Sequence, residues 1–98
     1  MKIQILNEAL LDLEEGFFFY ERLGSGLGRD FMDSLILDID SLAVYSGIHP
    51  KIHGYHRRLA RRFPFAVYYS TREDLIEIWR ILDCRQNPVI ITRKLKRL

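Results

Sequence analysis

The sequence predicts an α+β domain of order β-α-α-β-β-β: a mostly antiparallel sheet with an N-terminal helical hairpin packed on one face. Three observations carry this reading. Apolar residues recur at helical spacing on both sides of a glycine-rich turn within residues 8 to 45. Residues 56 to 84 form three runs rich in β-branched and aromatic side chains, broken at Phe63-Pro64 and at Thr71-Arg72-Glu73-Asp74. A short alternating segment precedes them all. Ninety-eight residues, 48% apolar and 29% charged, make a single domain (1–98) around one core.

Lys2-Ile3-Gln4-Ile5-Leu6 alternates and reads as the first strand. Asn7 then stands where an N-cap belongs, with Glu8 in the first turn, where a negative charge suits the helix dipole. Leu10, Leu13, Phe17 and Tyr20 recur three or four apart, one apolar stripe facing a core. Gly16 interrupts this helix at a cost of about 1 kcal/mol relative to Ala. Because Gly16 lies beside the stripe, a close approach by the second helix is expected there. Gly24-Ser25-Gly26-Leu27-Gly28 ends the helix and turns the chain; it follows a helix instead of a strand and lacks a lysine, which argues against a phosphate loop. The second helix is expected over about Arg29 to Tyr45, burying Phe31, Met32, Leu35, Ile39 and Leu42, and so short a connection makes the pair antiparallel.

Ile48 to Tyr55, with Pro50 and Gly54, reads as a loop. His56 to Phe63 and Phe65 to Thr71 follow as strands two and three, and Leu75 to Cys84 as strand four. In that last strand Ile76, Ile78 and Leu82 alternate with Glu77, Trp79, Ile81 and Asp83, so both faces are substantially apolar, as in an interior strand. Asn87-Pro88 can open a short helix, whereas Val89-Ile90-Ile91-Thr92 favours a strand; the sequence leaves both open.

The charge is unevenly placed. Residues 1 to 46 hold nine acids against three bases, and residues 47 to 98 hold twelve bases against four acids. An acidic helical half and a basic sheet half give two electrostatic faces, which speaks to partners and not to fold. The basic set comprises His56, Arg57, Arg58, Arg61, Arg62, Arg80 and Arg85. Arginine offers a planar fork of donors for phosphate or carboxylate, and Tyr55, Tyr68, Tyr69 and Trp79 are interleaved as possible stacking surfaces. Leu11 and Phe18 on the first helix, and Leu37 and Val44 on the second, fall off the buried stripes, and Phe19 falls among Glu8, Asp12 and Glu15. Those four off-stripe residues are candidates for a partner-binding groove.

Other chemistry finds little support. His49, His53 and His56 lack a cysteine or paired carboxylate nearby, so no metal site is expected. No nucleophile elbow or Cys/His set is evident, and no cofactor is implied. Cys84 stands alone and is expected to be a reduced, partly buried thiol. No apolar run approaches the roughly 20 residues of a membrane span, and the chain opens with a strand-like segment instead of a signal core, so a cytoplasmic location is expected.

The Arg61-Arg62-Phe63-Pro64-Phe65-Ala66-Val67-Tyr68-Tyr69 run, the acidic turn, and a strand ending in Cys84-Arg85-x-x-Pro88, all after two helices, resemble the ParE/RelE superfamily of bacterial toxins, over essentially the whole chain. The resemblance implies the toxin of a type II toxin–antitoxin pair, such as serves in plasmid stabilization, neutralised by an antitoxin whose disordered tail folds on it as a hetero-oligomer. RelE-like members cut ribosome-bound mRNA, and commonly place an arginine at the start of the third strand and a histidine or tyrosine shortly after the Cys-Arg. The matching positions here are Phe65 and Asn87, neither of which exchanges a proton. Only His56, Arg61, Glu77 and Arg85 remain as candidates if the chain is such an endoribonuclease. The Phe-Pro-Phe strand looks closer to ParE-like members, which inhibit growth by poisoning DNA gyrase and need no acid–base set. On that reading Arg57, Arg58, Arg62, Arg80 and Arg85 would bind the target, and Leu11, Phe18, Leu37 and Val44 the antitoxin. An inactive member that only binds its antitoxin is a third possibility.

Overall fold

A computed structural model describes residues 1–97. Lys2–Ile5 forms β1, Asn7–Leu23 α1, Leu27–Asp40 α2 and Leu42–Tyr45 the single turn α3. Lys51–Ile52 forms β2, Tyr55–Leu59 β3, Phe65–Arg72 β4, Leu75–Asp83 β5 and Pro88–Lys96 α4. One sheet runs in the order β1-β5-β4-β3-β2. β1 lies parallel to β5, and the other neighbours are antiparallel.

The expected α+β order therefore stands, with corrections at its joints. The segment read as a loop contains β2, whose Lys51 and Ile52 pair with His56 and Tyr55. β3 ends at Leu59 and not at Phe63, because Ala60 to Pro64 leave the ladder for a corner closed by Ala60 N to Phe65 O and Phe65 N to Phe63 O, both 2.8 Å. The N-cap position of α1 is Leu6, and Asn7 is already helical. The second helix starts at Leu27 and breaks at Ser41, whose hydroxyl donates to the Asp38 carbonyl at 2.6 Å. The open question at the C-terminus resolves as a helix. Pro88 occupies its first turn, the Asn87 side chain accepts from Val89 N at 2.9 Å, and Leu95 is buried on the sheet with Ile91 beside it. Capping and burial outweigh the weak strand preference of the β-branched run.

α1 and α2 lie across one sheet face. Ala9, Leu13, Tyr20, Phe31, Leu35, Ile39 and Leu42 meet Phe65, Val67, Tyr69, Ile76, Ile78 and Ile81 in the main core. The α1 stripe is rotated from the expected one: Ala9 is fully buried where Leu10 was expected, and Leu10 is 49% exposed. Gly16 does mark the close approach, since a Cβ there would stand 2.5 Å from Cζ of the buried Phe31 ring. Gly26 adopts φ 88°, a left-handed conformation suited to glycine, and caps α2 with no side chain of its own. Glu21 of α1 supplies the missing acceptor, taking the N–H of Gly26 at 3.1 Å and of Gly28 at 3.0 Å.

A β-bulge between Tyr68 and Tyr69 shifts the β4–β5 register, leaving Trp79 without a direct partner. One extra residue reverses the alternation that follows. Ile81 thus joins Ile76 and Ile78 on the hairpin face, while Leu82 passes to the opposite one, contrary to the simple alternation expected for this strand. There Leu82, Ala66, Tyr68 and Leu95 form a smaller core with Tyr55, Cys84 and Ile91 at its margin.

Candidate partner-binding site

The arginines of the expected basic platform do not share one surface. Arg80 turns to α1 and makes a two-pronged contact with Asp12, Nε to Oδ2 and Nη2 to Oδ1, both 2.8 Å. Asp12 also accepts the Ile81 N–H at 2.9 Å. This hydrogen-bonded carboxylate raises the Arg80 pKa, with burial opposing. Arg58 turns to α2, where Nη2 lies 3.4 Å from Asp38 Oδ1 and Nε donates to Ser41 Oγ at 3.3 Å. Asp38 is buried and takes the Arg61 N–H at 3.1 Å. Arg57 projects from the other face, donating to Tyr68 Oη at 3.1 Å and facing Cys84 Sγ at 3.5 Å. Burial works against its charge, and the contacts with Tyr68 and Cys84 outweigh it, so its pKa is raised. Arg61 and Arg62 are exposed in the β3–β4 corner, with Arg62 over the Phe63 ring. Arg85, beyond β5, clasps Asp83 at 2.8 Å and holds its carboxyl below the usual range.

The four nuclease candidates are scattered. The His56 ring stacks on Tyr69, and its Nδ1 lies 2.7 Å from the His49 carbonyl oxygen. Glu77 lies near the start of β5 and Arg85 just beyond its end, about 20 Å or more apart at roughly 3.3 Å per residue. Phe65 is buried against Tyr20 and Phe31, and Asn87 caps α4, so both expected catalytic positions have structural roles. No acid–base pair is assembled around a common point by these four. Among the described residues, no group of three or more His, Cys, Asp or Glu is arranged to hold a metal ion, and no helix is long and apolar enough to cross a membrane.

A groove of about 600 Å³ does stand out on the helical hairpin. Ile5, Leu10, Leu13, Phe17, Phe18, Met32 and Ile36 line it, with Glu14 as the one charged side chain. Of the four residues singled out from the sequence, Phe18 lines the groove and is 52% exposed. Leu11, Leu37 and Val44 are exposed as expected but stand outside its lining. Sequence reasoning missed Leu10, Phe17, Met32 and Ile36 as groove residues, having assigned the first three to the buried stripes. The available signal was the stripe's own width: with Ala9 and Gly16 small enough to seat α1 tightly, its larger neighbours are left at the margin.

No protein-family model and no curated protein matches this chain. Among solved structures it resembles a chain of the "Chromosomal ParDE TA system from P. aeruginosa", with a TM-score of 0.73 and 20% identity, over 83% of this chain and 92% of that one. The likeness is one of fold, and the ParE/RelE-like architecture expected from the sequence is the one observed.

Proposed function

We propose that this protein is the toxin of a type II toxin–antitoxin system, ParE-like in action: it inhibits growth by binding a target protein such as DNA gyrase, needs no cofactor, and is held inactive in the cytoplasm as a hetero-oligomer with its antitoxin. The observation that carries this reading is the open apolar groove on the hairpin of a fold like that of a ParDE chain. An amphipathic antitoxin helix laid in that groove would cover Leu10, Phe17, Phe18, Met32 and Ile36. The scatter of His56, Arg61, Glu77 and Arg85 supports binding over RNA cleavage as the toxic act.

Expression of the chain alone should arrest growth of a bacterial host, and co-expression of an adjacent antitoxin gene should restore it. In calorimetric titrations with that antitoxin, Phe18→Ser should weaken binding by about 1 to 3 kcal/mol, the scale of a central apolar anchor. Leu37→Ser, outside the groove, should change it far less. Harmless expression of a folded chain that still binds antitoxin would leave an inactive family member. Equal effects of the two substitutions would remove the groove from the reading.

A further inference from the structure

α4 rests on the sheet through Leu95 and Ile91, and its outer side forms a second surface, unlike the hairpin groove in charge. Pro88, Val89, Thr92, Arg93, Lys96 and Arg97 line a shallow groove of about 490 Å³. Val89 is 59% exposed and Ile90 41%, an apolar first turn joined to a cationic last turn. Residues 85 to 97 contain five bases and no acid. Among the described residues, the four ion pairs engage Arg58, Arg72, Arg80 and Arg85, and none engages a base of α4. Bases in a last helical turn do offset the helix dipole. That accounts for their placement along the helix but leaves the exposed Val89 and Ile90 without a reason.

We propose that the outer face of α4 docks an acidic segment of a protein partner, with carboxylates on Arg93, Lys96 and Arg97 and an apolar side chain against Pro88 and Val89. Charge complementarity names the sign of the occupant, and the aliphatic lining names its class. A nucleic-acid strand would find no aromatic ring in this groove on which to stack a base. Three cations alone would hold a phosphate backbone weakly and in a strongly salt-dependent way. The hairpin groove carries Glu14 and no base, whereas the α4 groove carries three bases and no acid, so the two surfaces select different partners. The proposal does not depend on what occupies the hairpin.

The test is fluorescence anisotropy on the full chain with a short synthetic peptide of Glu and Leu at helical spacing. Its counterpart with Lys for Glu, an all-Glu peptide and a short DNA duplex are run beside it. The Glu/Leu peptide should bind saturably and the Lys version should not. Arg93→Glu with Lys96→Glu should weaken binding at least about tenfold, a change of 1.4 kcal/mol. Val89→Ser should weaken it several-fold. If the double reversal lowers the melting temperature, Arg93→Gln with Lys96→Gln takes its place. Absence of saturable binding, unchanged affinity in these variants, or tighter binding of the DNA would each overturn the proposal. Equal affinity for the all-Glu peptide would overturn the apolar anchor.

Discussion

On the hairpin side of the sheet, Arg58 and Arg80 each meet a buried carboxylate from a helix, whereas on the α4 side Arg93, Lys96 and Arg97 meet none among the described residues. The same residue type therefore does two jobs in one small domain. Arg80 and Asp12 are removed from water, and their forked contact, with the Ile81 N–H as a third partner, fastens α1 to β5. Desolvating such a pair costs much of what the attraction returns, so its value lies in fixing geometry, and its loss leaves an uncompensated charge. The bases of α4 stay hydrated and keep their donors available to another molecule. Arginine that is both buried and paired, as at Arg58 and Arg80, serves the architecture, whereas the unpaired bases of α4 stay on the surface.

The largest expected effect breaks the first half of that contrast. Asp12→Ala strands Arg80, whose side chain is only 12% exposed, and should destabilise the protein by about 3 to 5 kcal/mol. Removing both charges, as in Asp12→Ala with Arg80→Met, should recover a substantial part. On α4, Arg93→Ala should move stability by no more than about 0.5 kcal/mol, as for an exposed side chain without a partner. Chemical denaturation of the three variants reads the difference directly. Comparable losses at Asp12 and Arg93 would erase the distinction between the two faces.

Much of this contrast lay in the sequence, but in a form that charge counting obscured. Asp12 falls between Ala9 and Gly16 at helical spacing, and Asp38 falls four residues after Ser34 and beside Ile39, so both acids sit on buried stripes. Counting them with Glu8 and Glu15 as an acidic surface missed that they reach into the molecule to meet arginines of the sheet. The helices, the glycine turn and the long strands were legible because each is written in a local period. The β-bulge at Tyr68 and Tyr69 was not, because register belongs to a pair of strands, and it exchanged the faces taken by Ile81 and Leu82. β2 was hidden for a similar reason: two residues show no periodicity, and Lys51 and Ile52 become a strand only by pairing with β3. The candidate groove was half legible, since Phe18 could be seen to leave the stripe while the margin position of Phe17 and Met32 depends on how closely the helices approach.

That approach is the next test. In an ordinary helix interior Gly→Ala stabilises by about 1 kcal/mol. At Gly16 the new methyl would overlap the Phe31 ring, which is fully buried, stacked on Tyr20 and edge-on to Phe65, leaving it little room to yield. Gly16→Ala should therefore destabilise by about 1 to 3 kcal/mol, the cost of overpacking. A stabilised variant in thermal melts would show that the hairpin is looser than the geometry requires, and would weaken the case for a preformed groove above it.

The smallest effect concerns the edge of the hairpin face. Tyr69 is fully buried, its hydroxyl accepts the Gly47 N–H at 3.0 Å and bonds Nδ1 of His49, and the His56 ring stacks on it. Burial, then the charge of Arg58, then His56, lower the His49 pKa from its ordinary 6.5, and Arg58 is itself paired with Asp38. A histidine whose folded pKa is depressed binds its proton more readily when unfolded, so its contribution to stability is complete above pH 6.5 and is lost as pH falls below it toward the folded value. Melting temperature should therefore decline on acidification through this window more steeply in the natural protein than in His49→Asn, which keeps a polar group near Tyr69 but cannot titrate. Parallel pH profiles for the natural protein and His49→Asn would mean that the cluster opens before it protonates, and that this edge of the hairpin face is as open to water as the outer side of α4.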